Sequence, residues 1–373
     1  MGSVVGKIAG RLNDEQIKSG ISKGSWPDEG NFTGSILSGI VSAYKMKCDI
    51  DYRRSAEWSG DYILWAAQGN FYGDDICALT RLSQIASDPC DNPWRTVVIN
   101  FYDNVKKSVG GTESYISTFK VIEPSTAVFY LAHHVVAAYY VDAEDKKLWR
   151  KELINLLSRV DDSSYYPVMA LGAATWALAQ TGPLDQTDIH SSGEGAPYWE
   201  SKKLADLPAL LMSHQVQEGQ PGAGGFYWQF WHTEGSPNGY TEDAIFATRG
   251  LVAAYYANPE PNLESAIFNA HAALMDGVSS DGMVWERLSQ EGSIFYTYGG
   301  EMLQALGELA IPADLNLDSS VNSTDYAILV NSWYASDCLQ YCYCDGADLN
   351  QDGKVDFCDL KKMAEMWLKY SSR

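Results

Sequence analysis

Apolar residues recur along most of the chain with the three- to four-residue spacing of helices that bury one face. Alternation of apolar and polar residues between tight hairpin turns, the main signal for strands, is hard to find. The pattern therefore predicts an all-α fold. Before residue 312 it predicts twelve helices, paired as six hairpins, at residues 4–23, 33–47, 53–68, 74–87, 94–108, 125–141, 144–159, 165–180, 200–217, 242–257, 262–276 and 298–310.

The predicted helices are of two kinds. Those at 125–140, 166–179 and 243–256 are apolar nearly all round and rich in small residues, which indicates burial on both sides. The helix at 142–160 carries one charged face and belongs on the outside. A ring of inner helices wrapped by outer ones is the (α/α)6 toroid, and this alternation resembles the six-hairpin glycosidases and the lyases and cyclases of that architecture. The resemblance implies a fold for residues 1–311, our expected catalytic domain, and leaves its function open.

Aromatic and acidic residues cluster just before several of the apolar helices, at 69–75, 123–126, 163–167, 239–243 and 296–302. Because the inner helices of a toroid run parallel, we expect these clusters to meet at one end of the ring. Rings that stack on sugars, beside carboxylates that hold hydroxyls and transfer protons, would make a sugar-binding cleft. Capping of helix starts is the alternative explanation for the acidic residues.

Two pairs of adjacent acidic residues are the candidate catalytic groups. Asp74 and Asp75 follow an aromatic-glycine turn, and two like charges this close favour a proton held near neutral pH. Glu242 and Asp243 form the second pair, just after Tyr240. The segment FYGDD is similar to the paired-aspartate motif of the (α/α)6 mannanases, which implies hydrolysis by carboxylates acting as acid and as base or nucleophile.

A loop histidine offers a rival mechanism. His232 lies in the same segment as Tyr240 and shortly before Arg249. A tyrosine, a histidine and an arginine are what a polysaccharide lyase would use to neutralise a uronate, abstract a proton and protonate the leaving oxygen. Further substrate contacts are expected from Arg249 and from aromatic residues around the cleft, namely Tyr72, Trp199, Tyr227, Trp228, Trp231 and Tyr298.

A twelve-residue pattern occurs twice near the C-terminus, at 314–325 and 348–359. Both copies place Asp, Asn and Asp at positions 1, 3 and 5 and Asp at position 12, and each leads into an amphipathic helix. A tight loop of this kind can supply the roughly six to eight oxygens that calcium prefers, whereas acidic Asx-turns without metal are the alternative. We expect two calcium ions, held by Asp314, Asn316, Asp318, the carbonyl of Ser320, Asn322, Asp325, Asp348, Asn350, Asp352, the carbonyl of Lys354, Asp356 and Asp359.

The repeated loop and helix, with Asp at position 12, resembles the dockerin type I module over residues 312–373. The resemblance implies attachment to a cohesin-type protein and a secreted or cell-surface location. The first residues show no signal peptide, and we expect an export signal to have been removed. Ser319 takes the place of the glycine usual at position 6 of the first loop.

Four of the seven cysteines, Cys338, Cys342, Cys344 and Cys358, crowd this C-terminal region. Four cysteines in a small polar module predict local disulfides, whose pairing the sequence leaves open. A zinc site is the alternative, although the single residue between Cys342 and Cys344 is a shorter spacer than zinc sites usually have.

Composition and charge narrow the range of partners. The 373 residues are 46% hydrophobic and carry a formal charge of −21, which disfavours nucleic acid and anionic membranes as partners. The chain has no apolar run of the about 18 residues that a membrane-spanning helix needs. Residues 1–311 contain 22 Lys and Arg against 38 Asp and Glu, a balance that favours a neutral glycan over an anionic polymer.

These observations predict a secreted glycoside hydrolase that degrades a polysaccharide and is anchored through its dockerin to a cohesin. No cofactor is expected for catalysis. The first alternative is a polysaccharide lyase that acts on a uronate-containing polymer by β-elimination. The second alternative is a non-catalytic glycan-binding protein, in which the aromatic rings stack on sugars and nothing reacts.

Overall fold

A computed structural model describes residues 1–86, 92–190, 195–233, 235–311, 313–318, 320–336, 338, 344, 346–350 and 352–370. Within these residues the regular structure is helical, and extended pairing is limited to isolated bridges such as the one between Tyr240 and Arg287. The all-α prediction is confirmed. None of the described helices is long and apolar enough to cross a membrane.

The α-helices of the described residues are, in chain order, α1 (Gly2–Glu15), α2 (Thr33–Lys47), α3 (Ile50–Ala67), α4 (Gly73–Ser83), α5 (Pro93–Lys107), α6 (Gly111–Ser117), α7 (Pro124–Tyr140), α8 (Lys146–Leu157), α9 (Pro167–Thr181), α10 (Leu207–Ser213), α11 (Thr241–Ala257), α12 (Pro261–Asp276), α13 (Tyr296–Leu309), α14 (Ser323–Asn331) and α15 (Phe357–Tyr370).

The helices before residue 312 form two concentric layers. Helices α2, α4, α7, α9, α11 and α13 form the inner ring, in which each contacts the next and α13 closes the ring on α2. Helices α1, α3, α5, α8, α10 and α12 pack around this ring. Most side chains of α9 and α11 are buried, as their nearly all-round apolarity predicts. The predicted (α/α)6 toroid is confirmed.

Two glycines bring three inner helices into close contact at the start of α4. A Cβ atom on Gly73 would lie 1.9 Å from the carbonyl oxygen of Tyr130 in α7. A Cβ atom on Gly34 of α2 would lie 2.7 Å from the backbone nitrogen of Asp75. Neither distance is possible for a real side chain, so both positions require glycine. The first turn of α4 is therefore held between α2 and α7.

Helix boundaries differ from the prediction where the chain makes tight turns. Helix α1 ends at Glu15 because the chain then turns through Gly20 and Gly24, whose φ angles of +80° and +99° favour glycine. The helix predicted at 200–217 is a 3-10 turn at Leu204–Asp206 followed by the seven-residue α10. The seven-residue α6 was not predicted.

The C-terminal helices α14 and α15 follow the two repeated loops and enclose a hydrophobic cluster separate from that of the toroid. Its buried members are Ile311, Ala313, Val321, Leu329, Cys338, Ala347, Val355 and Met363. The region contacts the toroid at the start of α1, where the N–H of Gly2 donates to the carbonyl of Leu317 at 3.2 Å. It therefore has a core of its own.

One local disulfide joins Cys338 to Cys344. Cys358 is free and exposed on α15, so the expectation that all four C-terminal cysteines pair locally is wrong. Its backbone N–H donates to Asp356, and the thiol faces solvent rather than the module core. Cys342 lies outside the described residues. The disulfide removes Cys338 and Cys344 as ligands for the alternative zinc site.

Candidate active site and calcium loops

A cavity of about 280 Å³ opens at the end of the toroid where the inner helices begin. All six inner helices contribute to its wall. The lining residues are Phe32, Ser35, Asp74, Thr126, Phe129, Tyr130, Tyr166, Met169, Glu242, Phe295, Thr297, Tyr298 and Glu301. The aromatic and acidic clusters that precede the inner helices thus meet at one mouth, with three carboxyl groups facing the same space.

A larger groove of about 870 Å³ adjoins this cavity on the side of α3, α4 and α7. Thr126 and Tyr130 line both spaces, and Asp75 lines the groove rather than the cavity. The exposed ring of Tyr72 lines the groove and stacks on Tyr130 with their centroids 5.4 Å apart. Asp74 and Asp75 therefore lie where the cavity meets a larger, tyrosine-lined groove.

The Asp74 and Asp75 side chains are both buried at the first turn of α4. Ser35 of α2 contacts Asp74, with its Oγ 3.5 Å from Oδ2, while Oδ1 of Asp74 has no hydrogen-bond partner within the described residues. Burial raises the pKa of Asp74 to about 6. Burial and then the charge of Asp74 raise the pKa of Asp75 well above its ordinary value. This pair can hold a proton at neutral pH.

Glu242 and Glu301 line the same cavity as Asp74. Burial raises the pKa of Glu242 to about 7, and the charge of Glu286 adds to the increase. Burial also raises the pKa of Glu301, with a further contribution from the charge of Glu242. Oε2 of Glu301 is buried and has no hydrogen-bond partner in the described part of the chain. An unpaired buried carboxyl oxygen that faces a cavity is suited to bind a hydroxyl or a water.

Two predicted catalytic residues lie beside the cavity and do not line it. Asp243 is buried and accepts a hydrogen bond from the N–H of Met169 at 3.1 Å, which ties α11 to the start of α9. Tyr240 is the N-cap residue of α11, and its hydroxyl accepts a hydrogen bond from Arg287 at 2.7 Å. Asp243 therefore joins two inner helices and is not part of the cavity wall.

Other predicted site residues lie away from the cavity. Trp199 is buried and donates to the carbonyl of Val160 at 2.7 Å. The ring of His232 stacks on that of Tyr227 with their centroids 4.0 Å apart, in the loop that precedes α11. None of Trp199, His232 and Tyr227 is among the residues that line the cavity or the groove.

Arg249, on α11, does not line the cavity either, and its side chain is fully buried. Its guanidinium pairs with Glu308 at 3.1 Å and lies 4.1 Å from the centroid of the Trp176 ring. The tyrosine, histidine and arginine expected for a lyase therefore contact different neighbours and do not assemble around the cavity.

Glu301 is the functional candidate that the sequence did not single out. It lies one turn inside α13, three residues after Tyr298, which also lines the cavity. Residues three apart on a helix share a face, so Tyr298 at the start of the helix was the signal in the sequence that could have indicated Glu301.

The two repeated loops share one hydrogen-bond framework. Both oxygens of the buried Asp325 accept backbone N–H groups, from Asn316 at 3.1 Å and from Asn322 at 2.9 Å. Asp359, also buried, makes the equivalent two bonds in the second loop. Within the described residues no three His, Cys, Asp or Glu side chains form a ready-made metal site. Ser319 lies outside the described residues.

The loops nonetheless fit calcium by their donor set. Each copy combines carboxylates with amide and carbonyl oxygens, which is the set that a hard cation takes. Asp314 and Asp348, at position 1, are buried almost as completely as Asp325 and Asp359 at position 12. Burial of several unneutralised carboxylates in so small a module is costly unless a cation accompanies them.

Comparison with known proteins identifies the C-terminal region. Residues 312–366 match the dockerin type I domain model, which confirms the predicted resemblance. A search of the curated proteins finds no match to this chain.

The toroid resembles solved structures of glycosidases. The GH76A α-1,6-mannanase from Salegentibacter sp. is 14% identical, with a TM-score of 0.54, and the match covers 82% of this chain and 98% of that one. A possible GH105 member from Salmonella enterica is 12% identical, with a TM-score of 0.52, and the match covers 82% of this chain and 92% of that one. A family 88 glycosyl hydrolase from Bacteroides vulgatus is 12% identical, with a TM-score of 0.52, and coverage of 82% and 96%. At these identities the likeness shows the fold.

Proposed function

We propose that the toroid is a glycoside hydrolase that cleaves a neutral polysaccharide, and that the dockerin attaches it to a cohesin-type protein outside the cell. The observation that carries the proposal is the placement of the carboxyl groups. Asp74, Glu242 and Glu301 line one cavity, and Asp75 lines the adjoining tyrosine-lined groove. A glycosidic bond held at this junction would lie within reach of a proton donor and an ionised carboxylate.

The two aspartates take different roles in this proposal, because they line different spaces. Asp75 lines the groove through which a leaving group would depart, and burial and then the charge of Asp74 raise its pKa well above the ordinary value, so Asp75 is assigned as general acid toward the leaving oxygen. Asp74 lines the cavity, and burial raises its pKa to about 6; it is assigned as nucleophile or as the base for a water. Glu242 and Glu301 bind sugar hydroxyls through their carboxyl oxygens.

The cavity disfavours the lyase alternative. A lyase must neutralise the uronate carboxylate of its substrate, which requires a cation beside the sugar. No Lys, Arg or His is among the residues that line the cavity or the groove in the described part of the chain. The carboxyl groups that line these spaces cannot supply that positive charge, and any of them that is ionised would repel a uronate. The third possibility, a protein that binds glycans without catalysis, gives no functional reason for the raised pKa values of the carboxyl groups.

An α-linked mannan is the first substrate to test. Two structures of the same fold, both of the Salegentibacter α-1,6-mannanase, support this choice. One of them is a variant described as inactive, in which two consecutive aspartates are replaced by asparagine, in complex with α-1,6-mannotriose; it is 15% identical, with a TM-score of 0.53. Asp74 and Asp75 are likewise consecutive aspartates at the mouth of the toroid.

The deciding experiment is a panel of neutral and uronate-containing polysaccharides incubated with the full-length protein. New reducing ends without ultraviolet absorbance from unsaturated sugars support hydrolysis. Unsaturated products support the lyase, and retention on a polymer without any product supports the binding protein. The Asp75→Asn variant is included in each assay, and full turnover in this variant would contradict the mechanism assigned here.

In the dockerin, we propose that each loop holds one calcium ion. Asp314, Asn316, Asp318 and Asp325 would bind through side-chain oxygens in the first loop, with the carbonyl of Ser320 and a water on Asn322. Asp348, Asn350, Asp352, Asp356 and Asp359 would do so in the second, with the carbonyl of Lys354. Calcium supplies neutralising charge to the buried aspartates, and the residues of the loops supply the geometry.

A further inference from the structure

We propose a second glycan-binding site at the rim of the toroid mouth, made by the rings of Tyr165 and Trp231 and separate from the cavity where the bond is cleaved. We call these two rings the rim platform. The inference rests on the proposed function, since its ligand is a distant part of the same polysaccharide chain.

The rim platform is built on two loops that hydrogen bonds fix to each other. Asp162 accepts the backbone N–H groups of Phe230 and Trp231, at 2.6 and 3.0 Å. The indole N–H of Trp228 donates to the carbonyl of Tyr165 at 2.7 Å. The loop that carries Trp231 is thereby held against the loop that leads into α9.

The first of these loops is also tied to the wall of the cavity. The N–H of Tyr165 donates to Glu123, the N-cap residue of α7, at 3.0 Å. The N–H of Tyr166 donates to Ser125 at 3.0 Å, and the ring of Tyr166 lines the cavity itself. Tyr165 is therefore the next ring outward from the cavity on a well-fixed backbone.

The two platform rings are exposed despite this fixed support. Trp231 is 81% exposed and Tyr165 is 63% exposed. Large aromatic rings held open to water on an ordered backbone lose little conformational entropy on binding and gain by covering apolar surface. The flat face of a ring matches the C–H face of a pyranose.

The position of the rim platform indicates which ligand covers it. It lies on the α9 and α11 side of the mouth, whereas the groove beside Asp75 lies on the α3, α4 and α7 side. The cavity borders both regions, since Tyr130 lines the groove and the cavity, and Tyr166, next to Tyr165 in sequence, lines the cavity. A polysaccharide chain seated in the groove and passing the aspartate pair would continue toward Tyr165 and Trp231, so chains long enough to reach the rim platform should bind more tightly than short oligosaccharides.

The test measures binding by the full-length Asp75→Asn protein, in which turnover does not consume the ligand. Affinity electrophoresis against α-mannan, β-mannan, xylan and β-glucan identifies the polymer that retards the protein most. Trp231→Ala and Tyr165→Ala are then added singly to this background. Phe268→Ala, which removes a 67% exposed ring from the outer helix α12, is the matched control.

We expect each platform substitution to lower the affinity for the polymer about two- to tenfold relative to that for its trisaccharide, because one stacked ring is lost. The control should change neither value. Equal losses for polymer and trisaccharide, no loss for either, or no retardation by any polymer would each overturn the rim platform. Failure of the proposed function would give a different result. The wild-type protein would still bind the polymer, and Trp231→Ala would still weaken that binding, but no reducing ends would be released.

Discussion

The buried carboxyl groups at the mouth of the toroid work against the stability of the fold. Burial raises the pKa values of Asp74, Asp75, Glu242, Asp243 and Glu301. A raised pKa in the folded state means that folding becomes less favourable once the pH is high enough to ionise the group. A cluster of this kind is retained at a cost in free energy, which is typical of a functional site.

Replacing Asp75 by Asn tests the functional and energetic consequences together. The amide cannot transfer the proton, so we expect turnover to fall by at least about a hundredfold. The stabilising contribution of the carboxyl is present below its unfolded pKa of about 4 and is lost as pH rises through the raised folded value. Calorimetry should therefore show the variant melting above wild type at about pH 8, with the difference vanishing near pH 4.

Glu113→Gln is the control for this substitution, since Glu113 is exposed on α6 and lines neither the cavity nor the groove. It should leave turnover and the pH dependence of melting unchanged. A variant Asp75→Asn that melts below wild type at every pH would show that the carboxylate has a stabilising partner, and the acid role would then be withdrawn.

Glu308 illustrates the opposite electrostatic situation, in which a carboxylate neutralises buried cations. Its Oε1 accepts hydrogen bonds from Arg81 at 2.9 Å and from Arg249 at 3.1 Å. Glu308→Ala would remove the shared partner of the fully buried Arg249 and the largely buried Arg81, and we expect a loss of about 3 kcal/mol in the free energy of unfolding. Urea denaturation measures this loss.

The comparison for Glu308 is the exposed pair of Arg54 with Asp51, 2.8 Å apart on α3. Arg54→Ala should cost less than about 1 kcal/mol, because solvent screens an exposed ion pair. Equal effects of the two substitutions would show that the Arg81, Glu308 and Arg249 network does not stabilise the toroid.

At the scale of elements, the ring depends on helix pairs that approach more closely than side chains allow. A Cβ atom on Gly39 of α2 would lie 2.1 Å from the carbonyl oxygen of Gly300 in α13. Gly39→Ala must therefore push these two helices apart, and we expect the melting temperature to fall by several degrees, corresponding to about 1–3 kcal/mol.

Gly10→Ala separates this packing effect from intrinsic helix propensity. Gly10 lies inside α1, and a Cβ atom there would meet nothing within 4 Å. Alanine is the better helix former, so we expect this variant to be as stable as wild type or up to about 1 kcal/mol more stable. A Gly39→Ala variant that behaves like Gly10→Ala would show that α2 and α13 are not in close contact.

The sequence predicted the helices well where apolarity was strong and poorly where turn geometry decided. The run at 166–179 is apolar on all sides and forms the inner helix α9, Pro167–Thr181. The segment 200–217 has a weaker pattern, and after α10 the chain forms the bridge between Gln215 and Phe226. That bridge depends on a distant partner, which local periodicity does not contain.

The site was predictable to the level of the helix end but not of the individual side chain. Clusters before the inner helices correctly indicated one mouth, where Asp74, Glu242 and Tyr298 line the cavity. Successive residues on a helix point about 100° apart, so Asp243 turns away to bond Met169 while its neighbour Glu242 faces the cavity. Which residue of an adjacent pair faces inward depends on the packing of all six inner helices.

At the scale of the whole molecule, the dockerin and the toroid have separate cores and limited mutual contact. The N–H of Gly2 donates to the carbonyl of Leu317 at 3.2 Å, and a cavity of about 950 Å³ lies between the base of the ring and residues Asp348 and Leu349. Because this junction is loosely packed, the stability of one part depends little on the folding of the other. We therefore expect each part to unfold in its own transition.

Calcium removal should act on the dockerin alone. Residues 312–373 contain ten Asp and Glu against five Lys and Arg, and their core is small, so without a cation the buried aspartates repel one another. A chelator should abolish the transition of the C-terminal module in a calorimetric scan and shift that of the toroid by little. Titration of calcium back into the sample should restore the lost transition.

Substitutions at position 12 connect this transition to the two loops. Asp325→Ala and Asp359→Ala each remove a buried carboxylate that bonds the loop backbone, so each should lower the affinity for calcium in its own loop. The double variant should melt like the chelated wild type with or without calcium, while turnover by the toroid stays at the wild-type level. A single transition that responds neither to chelator nor to these substitutions would show that the C-terminal region folds as part of the toroid, and that the aspartate loops hold their shape through backbone hydrogen bonds alone.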